Sequence, residues 1–264
     1  MVDTDQNLKT DGQQVTSATA EVSRKKITSI GMKIAVIIII AVIGAFIVTG
    51  RMAKERQANL VTMGARAKDI YVAIKGANTA REPLGLGSVW PKSGKKMEAA
   101  KDIAEMTFAN SSDYFSALLD GEPSTSRKWD PYVKGFDYSK CAGAGVPVST
   151  SEDGRLMAKN NAWTIAANIT EKMPDLIPAI VSRNVDPTSL IPREGDLSQQ
   201  FVRPSKAFTT PFGKQGLVLV YKDGRIFNLS NWKYANLQVI YHNRSGRELQ
   251  AIREAFQTVE YLTP

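Results

Sequence analysis

The chain of 264 residues contains one cysteine, Cys141, and one histidine, His242. A single cysteine excludes any disulfide within the chain, so cysteine pairing gives no information about the redox compartment. The two scarcities together remove most thiolate and imidazole metal sites. They also leave little room for a catalytic pair of a nucleophile and a histidine. The one pair of a thiol and an imidazole that stays possible is Cys141 with His242.

Charge is absent from residues 34–49, which read IAVIIIIAVIGAFIVT and lie between Lys33 and Arg51. As a helix this segment would be about 24 Å long, slightly shorter than a bilayer core of about 30 Å. No face of such a helix would be polar, so lipid or other apolar helices are its expected surroundings. We expect a transmembrane segment at residues 34–50, with a buried helix of a soluble core as the alternative.

Positive charge exceeds negative charge, and the formal net charge is +8. The excess is concentrated after the apolar run, where residues 51–101 hold eleven lysines and arginines against four acidic residues. This position favours anionic lipid headgroups over nucleic acid as the acidic partner. An ordinary solvated helix face is the alternative.

The regions on either side of the apolar run predict three parts in the chain. Residues 1–31 are polar and have no aromatic side chain, which predicts a disordered leader. Apolar residues then recur at helical spacing before the proline at position 83, which predicts a helix over residues 32–80. Its first half is apolar all round and its second half is amphipathic, with one apolar face formed by Leu60, Met63, Ala67, Ile70 and Ile74.

Residues 81–264 predict one globular α+β domain with a small antiparallel sheet. Strands are expected at residues 161–169 and 179–185, although a helix is possible for the first. A hairpin is expected from Leu217–Tyr221 to Ile226–Leu229, with Asp223 and Gly224 in a tight two-residue turn.

Helices are expected on both sides of these strands. Residues 97–119 predict one or two helices with a break near Asn110. A capping box at Ser245–Glu248 predicts an amphipathic helix that closes the chain, with its apolar face formed by Leu249, Ile252, Phe256 and Val259.

Other side chains that could carry chemistry show no spacing that specifies a reaction. The acidic residues of the loop region are expected to act as caps or turn residues, and the aromatic residues that resemble a ligand box are expected to lie in the core. Stretches 120–137 and 186–196 hold several oxygens but lack a calcium-loop pattern. We therefore expect no catalytic residue, metal site or cofactor; the side chains considered are Asp113, Asp120, Asp130, Asp137, Trp163, Trp232, Tyr234 and Tyr241.

Residues 25–32, KKITSIGM, directly precede the apolar run. This junction, followed by a helix in two halves and a small α+β domain, resembles the type IV pilins and the pseudopilins of type II secretion. The resemblance implies cleavage by a prepilin peptidase between Gly31 and Met32 and methylation of the new amine at Met32. It also implies an inner-membrane anchor with a periplasmic globular domain, and packing against other pilin-like subunits through the N-terminal helix.

Two positions depart from the pattern of that family, which usually has phenylalanine first and glutamate fifth in the mature chain. Here Met32 and Val36 occupy these places. The glutamate normally neutralises an amine in the apolar filament core, where an unpaired charge is costly. The expected function is therefore that of a non-catalytic minor or initiating subunit; the alternative is an uncleaved signal-anchored periplasmic protein that binds a ligand or partner.

Overall fold

A computed structural model describes residues 8–98, 100, 102–120, 133, 136–151, 154–213, 216–242, 244 and 246–264. Within these ranges, only the backbone is described for residues 8–36 and for residue 120. The chain divides into two compact units, Met1–Glu55 and Arg56–Pro264. The helices are α1 (Leu8–Arg81), α2 (Ser111–Asp120), α3 (Tyr138–Cys141), α4 (Leu237–Ile240) and α5 (Gly246–Ala255). The strands are β1 (Lys92–Ser93), β2 (Thr107–Phe108), β3 (Trp163–Ala167), β4 (Pro178–Ser182), β5 (Leu217–Tyr221), β6 (Ile226–Leu229) and β7 (Glu260–Leu262).

Helix α1 begins at Leu8, well before the start at residue 32 that the sequence predicts. The sequence from residue 8 to residue 31 contains no proline, and adding residues to an existing helix costs far less than nucleating a new one. Polarity therefore does not prevent the helix from continuing towards the N-terminus. At the other end, Pro83 and the left-handed Gly85, with φ 67°, follow the last helical residue Arg81.

The predicted α+β class is confirmed. The second unit contains a five-stranded antiparallel sheet in the order β6-β5-β4-β3-β7. Strands β3 and β4 fall where the sequence predicts them, and every residue of β3, β4 and β5 is buried. These central strands read as nearly continuous apolar runs because both faces of the sheet are covered.

The predicted hairpin is confirmed, but its turn differs from the prediction. Tyr221 donates its backbone N–H to Arg225 O at 2.9 Å, so three residues, Lys222, Asp223 and Gly224, form the loop. Among these, Gly224 has a positive φ of 82° and Asp223 does not. Lys222 and Asp223 thus form the turn, and Gly224 follows in the left-handed conformation. This is the usual three-residue hairpin loop.

The expectation that the chain closes with a helix is wrong. Helix α5 ends at Ala255, and Glu260–Leu262 then form β7, which pairs with β3 at the edge of the sheet. Val259 continues the helical spacing in sequence but is buried just before this strand. Ser245 of the predicted capping box lies outside the described residues.

Of the one or two helices predicted for residues 97–119, the structure has the one after the break. Helix α2 lies after the predicted break, but the first stretch contains only a 3₁₀ turn at Ile103–Glu105 and strand β2. Asp102 accepts a hydrogen bond from Ala104 N at 2.9 Å and caps this short turn. Ile103 and Phe108 are therefore buried from a 3₁₀ turn and a short strand, and not from one face of a helix.

The amphipathic half of α1 contributes one face to the core of the second unit. The five residues at the predicted spacing are at most 1% exposed, and they are Leu60, Met63, Ala67, Ile70 and Ile74. Tyr71 donates its hydroxyl to Lys222 O, and Lys68 donates its amine to Gly224 O, each at 2.5 Å. These contacts attach this part of the helix to the β5–β6 hairpin.

Candidate functional site

The candidate site is the apolar segment of α1, defined here by residues 37–49. Its large side chains are 48–75% exposed, and they are Ile37, Ile38, Ile39, Ile40, Val42, Ile43, Phe46, Ile47 and Val48. This helix is long and apolar enough to cross a membrane, and its most apolar window has a mean hydropathy of 2.0 with no part of it buried. Soluble proteins rarely expose so large a continuous apolar surface.

The apolar segment carries no unsatisfied polar side chain. Its single hydroxyl, on Thr49, donates to Ala45 O at 2.9 Å and also lies 3.0 Å from Phe46 O. The helix itself satisfies the backbone groups of the segment, as an apolar environment requires. Every surface that the segment presents is therefore hydrocarbon, and its available chemistry is partition into an apolar phase or contact with another apolar helix.

Charged residues follow the apolar segment directly. Arg51, Lys54 and Glu55 are all exposed. In the described part of the chain, the ion pairs involve other residues, so these cations have no carboxylate partner. An apolar helix that ends in unpaired cations is typical of a span that reaches a membrane interface.

Gly31 and Met32, the predicted processing positions, lie within the backbone of α1. The side chain of Met32 is outside the described part of the structure. Cleavage and methylation at this junction stay predictions.

The acidic residues considered from the sequence lie at helix starts where the structure describes them. Asn110 caps α2 by accepting from Asp113 N, and Asp113 in the first turn accepts a hydrogen bond from Asn110 Nδ2, each at 2.8 Å. Asp137 accepts from Ser139 N at 2.7 Å at the start of α3, and hydrogen bonds from Ser139 lower the pKa of this carboxyl group. The side chain of Asp120 and the whole of Asp130 lie outside the described residues. Asp137 lies near Lys140 and Cys141, and its charge acts on the Cys141 thiol.

Cys141 and His242 have different surroundings. Cys141 is fully buried, and burial together with the charge of Asp137 raises the pKa of its thiol well above the usual value. His242 is exposed, and its ring contacts those of Tyr221 and Phe227 at centroid distances of 5.7 and 6.2 Å. No hydrogen bond joins the two side chains in the described part of the chain, and a buried neutral thiol is a poor nucleophile.

The four aromatic residues do not form a ligand box. Trp163 and Tyr241 are fully buried, and their polar atoms donate to backbone carbonyls. Trp232 packs partly buried at the edge of the core, whereas Tyr234 is 58% exposed. Among the described residues, no group of three His, Cys, Asp or Glu side chains could hold a metal ion.

The structure also contains a groove that the sequence did not predict. Two adjoining hollows of about 530 and 560 Å³ share Ser88 and Glu171 in their walls. The first is lined by Trp90, Pro91 and Ile169, while Lys75 lines the second. The walls come from stretches about eighty residues apart in sequence, so no local pattern could identify them.

Comparison with family models, with curated proteins and with solved structures finds no match to this chain.

Proposed function

We propose that this protein is a single-pass membrane-anchored structural subunit that works by helix packing and not by catalysis. The observation that supports this most directly is the exposed apolar segment, residues 37–49, in the same helix whose second half has one buried face. A soluble helix would need a polar stripe along residues 37–49, and this segment has none. Lipid supplies a low-energy environment for all of its faces.

Within this function, we assign the chain a role similar to that of a minor pilin or a pseudopilin of a type IV pilus or type II secretion system. The motif at residues 25–32 supports cleavage between Gly31 and Met32 and methylation of Met32. The apolar segment then spans the inner membrane, and the globular unit lies in the periplasm. Other pilin-like subunits contact the protein through its N-terminal helix.

The absence of a carboxylate at Val36 favours a terminal position in such an assembly. A subunit inside the filament needs a partner for each buried amine, because an unpaired charge in an apolar core costs several kcal/mol. A subunit at the tip has no neighbour whose amine it must neutralise. Val36 is compatible with this position and with an anchored relative that does not polymerise.

Intact-mass measurement and N-terminal sequencing test the processing step. In cells with an active prepilin peptidase, the protein should begin at a methylated Met32. Gly31→Ala should leave the leader attached, whereas Gly44→Ala, a glycine substitution in the same helix, should have no effect on processing. A native chain that keeps residues 1–31 in these cells contradicts the assignment to this family but not the membrane anchor.

The alternative function is that of an uncleaved signal-anchored protein whose globular unit binds a ligand or partner in the periplasm. The groove next to Trp90 is the specific observation that favours it. Under this alternative, Gly31→Ala and loss of the assembly machinery change neither the mass nor the location of the protein. Substitution of an exposed residue in the groove, such as Thr170→Arg, would instead remove partner binding.

A further inference from the structure

Two exposed cations, Arg51 and Lys54, follow the apolar segment within the first compact unit. We propose that they form a binding site for the headgroups of anionic phospholipids in the leaflet that the C-terminal end of the span reaches. This inference rests on the proposed membrane anchor and identifies which lipid the anchor prefers. The pair is called the basic collar below.

The first argument for the basic collar is its position along the helix. Arg51 and Lys54 follow Thr49 by about 3 and 7.5 Å of helical rise. A headgroup layer is about 5–8 Å thick on each side of the hydrocarbon core. Because the apolar run is about 6 Å shorter than a typical core, both long side chains can extend from the edge of the hydrocarbon into the phosphate layer.

The second argument is the lack of competing partners. Neither cation belongs to an ion pair or a hydrogen bond in the part of the chain that the structure describes. Glu55 is also exposed and lowers the net charge of the collar, but it forms no ion pair with either cation in the described part of the chain. The donors of Arg51 and Lys54 are therefore available to an external phosphate.

The third argument concerns range and chemical class. Charges act on a membrane surface only within about one Debye length, 8–10 Å at physiological salt, and the collar lies within this distance of the end of the span. Guanidinium and ammonium groups both bind phosphate oxygens, Arg through a fork of donors and Lys as a point charge. Each basic residue near an anionic surface contributes up to about a five-fold preference, and we expect about five-fold for the collar with Glu55 beside it.

Fluorescence quenching by brominated lipids tests this inference on the full chain. Phe46 is 75% exposed within the apolar segment, so Phe46→Trp provides a reporter near the collar. Because the chain has four other tryptophans, the fluorescence of the reporter is obtained by subtracting the fluorescence of the chain that keeps Phe46. Quenching is compared in bilayers that contain either brominated phosphatidylglycerol or brominated phosphatidylcholine.

The expected result is stronger quenching by phosphatidylglycerol, corresponding to a relative association constant of about five, which falls towards one in high salt. Arg51→Gln/Lys54→Gln should abolish the preference. Lys95→Gln/Lys96→Gln removes the same charge from an exposed loop and should retain it.

The outcomes separate this inference from the proposed function. Equal quenching by the two lipids overturns the collar but leaves the anchor intact, because the reporter still lies in lipid. A preference that both double variants retain also overturns the collar. Absence of quenching by either lipid contradicts the membrane anchor itself.

Discussion

Replacing one isoleucine by aspartate tests whether lipid surrounds the apolar segment. Ile39 and Val61 both belong to α1 and are both 56% exposed, but only Ile39 lies in the apolar segment. In water, an exposed helical position tolerates such a change within about 0.5–1 kcal/mol. Ile39→Asp and Val61→Asp should therefore behave alike if water surrounds both residues, and differently if lipid surrounds Ile39.

The size of the difference follows from the composition of the span. Isoleucine, valine and phenylalanine near the centre of a span each favour insertion by about 0.3–0.6 kcal/mol, whereas aspartate opposes it by about 2.5–3.5 kcal/mol. The eleven such apolar residues from Ile34 to Val48 thus favour insertion by roughly 3–7 kcal/mol. One aspartate removes about 3–4 kcal/mol and brings insertion near balance, and a second at Ile43 should prevent it.

Vesicle flotation after an alkaline carbonate wash measures insertion of the full chain. The Val61→Asp protein should float with the vesicles, and the Ile39→Asp protein should be found in both the floating and the dense fraction. The Ile39→Asp/Ile43→Asp protein should remain in the dense fraction. Near-ultraviolet circular dichroism should be the same for all three, because the substituted side chains are exposed. If the double variant floats as completely as Val61→Asp, lipid does not surround this segment.

Three further predictions concern the second unit. Arg183 is 6% exposed and donates mainly to backbone carbonyls, so Arg183→Met should destabilise the fold in urea by about 2–4 kcal/mol by leaving those acceptors unpaired. Burial raises the pKa of Asp102, but the hydrogen bonds from Arg81 and from Ala104 N, together with the charge of Arg81, outweigh it, so the net pKa is lowered. This stabilisation should be lost as the pH falls below about 4, and Asp102→Asn should remove that pH dependence of the melting temperature. A Cβ on Gly64 would lie 3.0 Å from Asn228 of β6, so Gly64→Val should lower the melting temperature by crowding this contact. A Cβ on Gly76 would meet nothing within 4 Å, so Gly76→Ala should raise the melting temperature because alanine favours the helix.

Local patterns predicted the elements whose signals are strong over several residues. The hairpin was predictable because two apolar strands flank Asp223–Gly224, and only its loop length was wrong. Strand β7 was missed because three residues carry too short a pattern, and Val259 extends the helical spacing of α5. The early start of α1 was missed because polarity was interpreted as disorder, although nothing in that stretch stops a helix.

The candidate site divides in the same way. The apolar segment is defined by composition alone, so the sequence identified it without the fold. The groove at Trp90 depends on a loop that meets residues near Ile169, a contact between distant parts of the chain. The buried setting of Arg183 is also a tertiary feature, since its acceptors come from separate loops.

The exposed apolar segment is expected to be buried in lipid or against other helices, because the free energy gained by burying it is comparable to the folding stability of a domain. Fully burying one large apolar side chain contributes about 1.5–3 kcal/mol, so covering the nine that are now about half exposed contributes roughly 7–13 kcal/mol. A typical domain is stable by about 5–15 kcal/mol. Lipid covers the segment in a single copy of the chain, whereas contact between copies depends on protein concentration. Dilution in lipid vesicles should therefore leave the segment protected from aqueous quenchers if lipid covers it, and should expose it if only other copies do.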